Sequence, residues 1–124
     1  MKKILIADDE PHVSTLLKQF LERTGYQVTT VLNGQQALEK IDQTRPDILI
    51  TDVQMPKMNG MELCETLVHN YPNFCSLIIV MTSRTDNDIR QWAELHKHIE
   101  LMEKPLSMRR LTSRLKEHFD SFAE

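Results

Sequence analysis

Ile48-Leu49-Ile50-Thr51-Asp52-Val53-Gln54-Met55-Pro56-Lys57-Met58-Asn59-Gly60 is the stretch whose reading decides the fold. Its opening residues read as a short apolar strand, and Leu77 to Met81 further on is apolar throughout, as in a strand covered on both faces. The strand delivers one carboxylate, Asp52, to its end, and Pro56 to Gly60 then turn the chain. Other apolar runs finish in the same manner. Lys3 to Ala7 leads into Asp8-Asp9-Glu10, Leu77 to Met81 into Thr82, and Glu100 to Glu103 into Lys104-Pro105. A surface acid has no reason to follow an apolar run, yet here three acids and a lysine do.

Between these runs the spacing turns helical. Pro11 suits a first helical turn, where its missing N–H costs nothing. Val13, Leu16, Leu17, Phe20 and Leu21 then form one stripe, and Gly25 is placed to stop the helix. Gln27 to Val31 reads as a strand, and Asn33-Gly34 as a turn and cap before a helix through Ala37, Leu38 and Ile41. Arg45-Pro46-Asp47 breaks that helix. Met61 to Asn70 predicts a third, with Leu63, Cys64, Leu67 and Val68 inward, before a loop at Tyr71-Pro72-Asn73. Thr85-Asp86-Asn87-Asp88 resembles a capping box and opens a fourth through Ile89, Trp92 and Ala93, with Trp92 read as core. Ser107 caps a fifth, with Met108, Leu111, Leu115, Phe119 and Phe122 on one side.

Strand and helix thus alternate five times, which argues for an α/β fold: a doubly wound, five-stranded parallel sheet with helices on both faces. The length, 124 residues, fits one domain over 1–124. The formal net charge of −3 gives no electrostatic reason for direct nucleic-acid binding. No run of 18 apolar residues exists, so no membrane span is expected. Cys64 and Cys75 are too few for a disulfide scaffold and read as reduced packing residues of a cytoplasmic protein. Met55, Met58 and Met61 read as turn packing. His96 and His98, two apart, would point in different directions on a helix and make no metal pair.

In open α/β sheets, sites form outside the carboxyl ends of the strands, near a change in strand order. Asp8, Asp9, Asp52, Thr82 and Lys104 are all expected there. Three carboxylates so close would repel one another unless a dication and Lys104 neutralised them. Oxygen ligands without His or Cys favour Mg²⁺ over zinc. Asp9 and Asp52 are the expected direct ligands, with Asp8 direct or through water, and Gln54 can add its backbone carbonyl. A carboxylate can attack phosphorus and form an acyl phosphate, so Asp52 is the expected phosphoacceptor. Phosphoryl transfer needs mainly alignment and charge neutralisation, which Lys104, the Thr82 hydroxyl and the cation would supply.

Asp8-Asp9-Glu10, Asp52 with Met55-Pro56 and Gly60, Thr82-Ser83 and Lys104-Pro105 together resemble the receiver domain of two-component response regulators, over essentially the whole chain. Each motif is weak alone; four in order at this spacing are specific. The resemblance implies a flavodoxin-like fold with strand order 2-1-3-4-5. It implies phosphorylation of Asp52 by a histidine kinase or a phosphotransfer protein with Mg²⁺, and a cis Lys104-Pro105 peptide. It also implies an output surface on the fourth helix, fifth strand and fifth helix, facing a downstream protein target, a fused output domain or a second copy in a homodimer. Arg109, Arg110, Arg114 and Lys116 make the fifth helix basic outside, which fits either a solvated face or such a contact.

The chain departs from the family in places. Leu101 stands where an aromatic residue usually precedes the lysine by three, which puts the usual threonine-to-aromatic coupling in doubt. His96-Lys97-His98-Ile99 lacks the small Gly-Ala pair common there. Gln54 and Arg84 stand, by the resemblance, at positions that tune acyl-phosphate lifetime in the family. The expected product is a signalling module, not an enzyme that turns over a metabolite. The rival is a receiver-fold interaction module that is never phosphorylated. A hydrolase with an aspartyl intermediate would need a cap or insertions for which 124 residues leave no room.

Overall fold

The computed structural model describes residues 2–71, 77–83, 87–96 and 98–121. Five strands and five helices alternate: β1 (Lys3–Ala7), α1 (Pro11–Thr24), β2 (Gln27–Val31), α2 (Gly34–Thr44), β3 (Ile48–Asp52), α3 (Gly60–Asn70), β4 (Leu77–Thr82), α4 (Asn87–Glu94), β5 (Ile99–Glu103) and α5 (Met108–Asp120). The strands form one parallel sheet in the order β2-β1-β3-β4-β5, as the resemblance implied. The doubly wound reading holds, with small boundary differences. β4 runs on to Thr82, β5 starts at Ile99 and α3 starts at Gly60.

The sheet is apolar because it is covered twice. β3 and β4 are buried along their whole length. Leu5, Ala7, Leu49, Ile78 and Val80 pack with Ala37, Ile41, Leu63, Leu67 and Trp92 under α2, α3 and α4. Ile4, Ile6, Ile48, Ile50, Ile79 and Met81 pack with Leu17, Leu21, Leu111 and Leu115 under α1 and α5. Alternation along each strand therefore sorts residues between two cores instead of between core and water.

Local signals set the helix ends. Gly25 closes α1 at φ 111°, a left-handed conformation that glycine adopts without a Cβ penalty. Asn33 caps α2 by accepting from the Gln36 amide at 2.9 Å. Asn59 and Glu62 form a reciprocal capping box at the start of α3, a signature present in the sequence but not anticipated above. Ser107 caps α5.

Two stripe residues lie outside the core. Leu16 is 60% exposed and Val68 46% exposed, while Ser14 takes an inward place on α1 and bonds to the Pro11 carbonyl. Each misplaced residue adjoins a buried leucine, Leu17 or Leu67, about 100° away around the helix. How each helix is rotated against the sheet decides between the neighbours. Trp92 and Cys64 are buried, as expected. The expectations for Cys75, Arg84, the Thr85-Asp86 cap and Phe122 fall outside the described residues. No described helix is long and apolar enough to cross a membrane.

Candidate functional site

Strand register explains how residues far apart in the chain meet. Ala7 pairs with Thr51, so Asp8 emerges beside Asp52. Asp52 in turn pairs with Met81, and Thr82 pairs with Glu103, so Thr82 and Lys104 emerge one step further along the same edge. Backbone bonds prolong the ladders past the last paired residues: the Asp8 amide donates to the Val31 carbonyl, the Val53 amide to Met81, and the Lys104 amide to Thr82 at 2.8 Å. The edge lies where β1 has β2 on one flank and β3 on the other, a topological switch point.

The result is an acidic cleft of about 430 Å³ lined by Asp9, Glu10, Asp52, Thr82, Lys104 and others. Carboxylate oxygens of Asp8, Asp9, Glu10 and Asp52 lie within 4.8 Å of one another. Lys104 Nζ donates to Asp52 Oδ2 at 2.8 Å and stands 3.6 Å from both Asp8 Oδ2 and Glu10 Oε1. Asp8 and Asp52 are buried, whereas Asp9 and Glu10 are exposed at the mouth. The cis Lys104-Pro105 peptide is present.

Electrostatics in the cleft follow from burial. Loss of solvent pushes the Asp8 carboxyl above its ordinary value; the Glu10 amide and Lys104 pull it down, and Asp52 and Glu10 push it up. Burial works against the Lys104 ammonium as well, but the bond to Asp52 and the charges of Asp52, Asp8 and Glu10 outweigh it and raise its pKa. Asp8 Oδ1 accepts from the Glu10 amide at 2.9 Å, while Oδ2 is buried without a hydrogen-bond partner. A buried carboxylate oxygen in that condition is costly, and the four carboxylates are close enough together to hold a metal ion.

All the anticipated side chains reach this edge: Asp8, Asp9, Asp52, Thr82 and Lys104, with Gln54 lining the same cleft. Glu10 joins the acidic group and Ile89 of α4 lines the wall, and neither had been given a role. Glu10 carried a signal, since it ends the same apolar run as Asp8. Ile89 carried none, being an ordinary helical aliphatic. Leu101, in place of the usual aromatic, is half-buried against the core that holds Trp92 and Ile99. Trp92 donates through its indole N–H to Glu65 Oε1 of α3 at 3.2 Å. The basic outer side of α5 is narrower than expected. Arg114 grips both carboxylate oxygens of Glu100 on β5, leaving Arg109, Arg110 and Lys116 exposed.

A doubly wound parallel sheet with acids, a hydroxyl and a lysine gathered at one strand edge defines the phosphoacceptor class of signalling domain. The chain belongs to the response regulator receiver domain family, whose model matches residues 4–116. It is 37% identical over 116 residues to the alkaline phosphatase synthesis transcriptional regulatory protein PhoP of Bacillus subtilis, covering 93% of this chain and 47% of that protein. Among solved structures, it matches the chemotaxis response regulator CheY4 of Vibrio cholerae with TM-score 0.82 and 28% identity, over 94% of this chain and 98% of that one. The BeF3-activated N-terminal receiver domain of Klebsiella pneumoniae RstA matches with TM-score 0.83 and 26% identity, over 94% and 97%. The chain spans about half the length of the curated relatives it matches. It is therefore a receiver domain of two-component signal transduction, a signalling module.

Proposed function

We propose that Asp52 is the phosphoacceptor, that Asp8, Asp9 and Asp52 hold Mg²⁺ with the Gln54 carbonyl, and that Thr82 and Lys104 receive the new phosphoryl oxygens. The observation that carries this reading is the contact of Lys104 Nζ with Asp52 Oδ2 at 2.8 Å inside a group of four carboxylates. One ammonium against four carboxylates leaves a surplus of negative charge, and Asp8 Oδ2 has no hydrogen-bond partner. An all-oxygen donor set of this kind fits Mg²⁺, which keeps several waters and prefers one or two carboxylates plus phosphate oxygens. When bound, the ion supplies charge neutralisation at the phosphoryl oxygens.

In this mechanism an Asp52 carboxylate oxygen forms the new O–P bond while the bond from phosphorus to the donor breaks, and the donor leaves with the electron pair. Lys104, already placed at the acceptor, offsets charge on the equatorial oxygens in a partly desolvated site. Thr82, buried at the end of β4, lines the same cleft and offers its hydroxyl there. The natural donors are a histidine kinase or a phosphotransfer protein. The altered charge is read by a downstream protein target or a fused output domain, through the face of α4, β5 and α5 or through a homodimer on it. The domain turns over no separate metabolite; it phosphorylates from small donors and dephosphorylates itself. The description of the RstA receiver as BeF3-activated supports a fluoride complex as a probe.

The test is incubation with a small acyl phosphate and Mg²⁺, read by intact mass. One added phosphoryl group is expected, lost with chelator and in Asp52→Ala. Its absence from the wild type, or its persistence in Asp52→Ala, would overturn the assignment and leave an interaction-only receiver.

A further inference from the structure

A close approach at the first residue of α3 bears directly on the acceptor. A Cβ built on Gly60 would overlap the Asp52 carbonyl oxygen, and would lie 3.0 Å from the Asp52 carbonyl carbon and 3.2 Å from Val53 Cα. All three are backbone atoms, so no flexible side chain can swing aside. Gly60 is not in a left-handed conformation. Space, not backbone freedom, is what the position demands.

Neither partner in this contact can easily give way. The Asp52 peptide is fixed from the far side, because Asp52 is paired with Met81 and the Val53 amide donates to the Met81 carbonyl at 3.1 Å. The Gly60 amide donates to the Val53 carbonyl at 2.8 Å, which ties α3 to the residue after the acceptor. Leu63 and Cys64 of α3 are fully buried, and the Asn59–Glu62 box fixes its first turn. A second close approach secures the other end of the loop. The Gly34 amide at the start of α2 donates to the Met58 carbonyl at 3.1 Å, and a Cβ on Gly34 would lie 2.6 Å from that oxygen and 2.8 Å from the Met58 side chain.

We propose that Gly60, backed by Gly34, is a positioning residue of the phosphoryl-accepting site: the missing side chains let two helix starts clamp the β3–α3 loop and so set where the Asp52 carboxylate meets Lys104. The inference rests on Asp52 being the acceptor. The Asp52 carboxylate hangs from the Cα next to the crowded carbonyl, so a displaced peptide carries Oδ2 away from Lys104 Nζ. Gly60→Ala pushes on backbone alone, whereas Gly34→Ala pushes partly on the flexible Met58 side chain. The first should therefore do more damage.

The experiment compares wild type, Gly60→Ala, Gly34→Ala and Leu115→Ala, the last being a buried α5 residue on the opposite face of the sheet. Each is held at a temperature where circular dichroism shows it folded. Phosphoryl uptake from a small acyl phosphate at saturating Mg²⁺ is then followed by intact mass. Misplacing a reacting group by about 1 Å can cost about 100-fold, so Gly60→Ala should slow uptake by roughly 10- to 100-fold. Gly34→Ala should slow it less, and Leu115→Ala should leave it at the wild-type rate. Uptake by folded Gly60→Ala at the wild-type rate, or equal slowing in Leu115→Ala, would overturn the proposal. If Gly60→Ala does not fold, a wild-type rate in Gly34→Ala overturns it. A crystal structure of the folded glycine variant tests the geometry without any phosphoryl transfer. The Lys104–Asp52 contact should open, and an unchanged contact overturns the inference even if wild type takes up no phosphoryl group, an outcome that would separately end the acceptor assignment.

Discussion

The interior of the sheet and its carboxyl edge are built from the same strands and obey opposite rules. In the interior, Ile50, Ile79 and Leu49 contribute aliphatic surface on both faces, and each buried side chain of this size is worth about 1.5–3 kcal/mol relative to exposure. At the edge, Asp8, Asp52 and Thr82 are buried too, but each brings a polar group that water no longer satisfies. Lys104 compensates Asp52, while Asp8 Oδ2 is left without a hydrogen bond. The contrast teaches where stability was given up: the interior supplies it, and the edge spends part of it on a charged cleft.

A deletion deep in the interior should have the largest effect on stability and the least on chemistry. Leu21→Ala, at a fully buried position of α1, should lose about 2–5 kcal/mol in denaturant unfolding. Its rate of phosphoryl uptake per folded molecule should stay at the wild-type value; a slowed rate in the folded variant would break the division of labour. At the edge the order reverses. Lys104→Ala removes the cation at the acceptor and should slow uptake by about 100-fold, the usual scale for losing one group that stabilises developing charge. Stopped-time mass measurements check this, and a wild-type rate would remove Lys104 from the mechanism.

The smallest effect carries the sharpest sign. Burial raises the Asp8 carboxyl, so between the unfolded value of 3.8 and the raised folded value the native chain holds a proton that the unfolded chain has released. Stability therefore falls as pH rises through that window and stays lowered above it. Asp8→Asn should stabilise the metal-free protein at neutral pH by about 3–6 °C in Tm, the shift that roughly 1 kcal/mol makes in a domain near this size. The gain should shrink as pH falls toward 3.8, and added Mg²⁺ should narrow the gap by stabilising the wild type alone. Thermal melts across pH with and without Mg²⁺ read all three. A destabilised Asp8→Asn at neutral pH would mean that the carboxylate is better satisfied than its burial indicates.

Much of this was legible in the amino-acid order because strand ends are local features. An aliphatic run followed at once by Asp8, Asp52, Thr82 or Lys104 marks a strand and its carboxyl end together, and the helical stripes between such runs leave little choice but a parallel sheet. The strand order was not readable from those runs; it came with the family resemblance. Leu16 and Val68 were placed inside because a stripe two residues wide does not say which of them the sheet meets. Glu10, just before α1, and Ile89, in the first turn of α4, line the cleft because the fold brings these helix starts to the strand edge. Arg114 looked like one more surface cation until β5 placed Glu100 beneath it.

The sequence by itself determined which residues sit at the ends of strands, because hydrophobic patterning along a chain is a property of neighbours. Only the tertiary structure decided that Asp52 and Lys104 touch at 2.8 Å, that one oxygen of Asp8 goes without a hydrogen bond, and that a glycine must face the Asp52 carbonyl. Those facts depend on inter-strand register and on the seating of helix starts against the loop. Both are set by long-range packing across two cores, and no local pattern encodes distances between segments that meet only after folding.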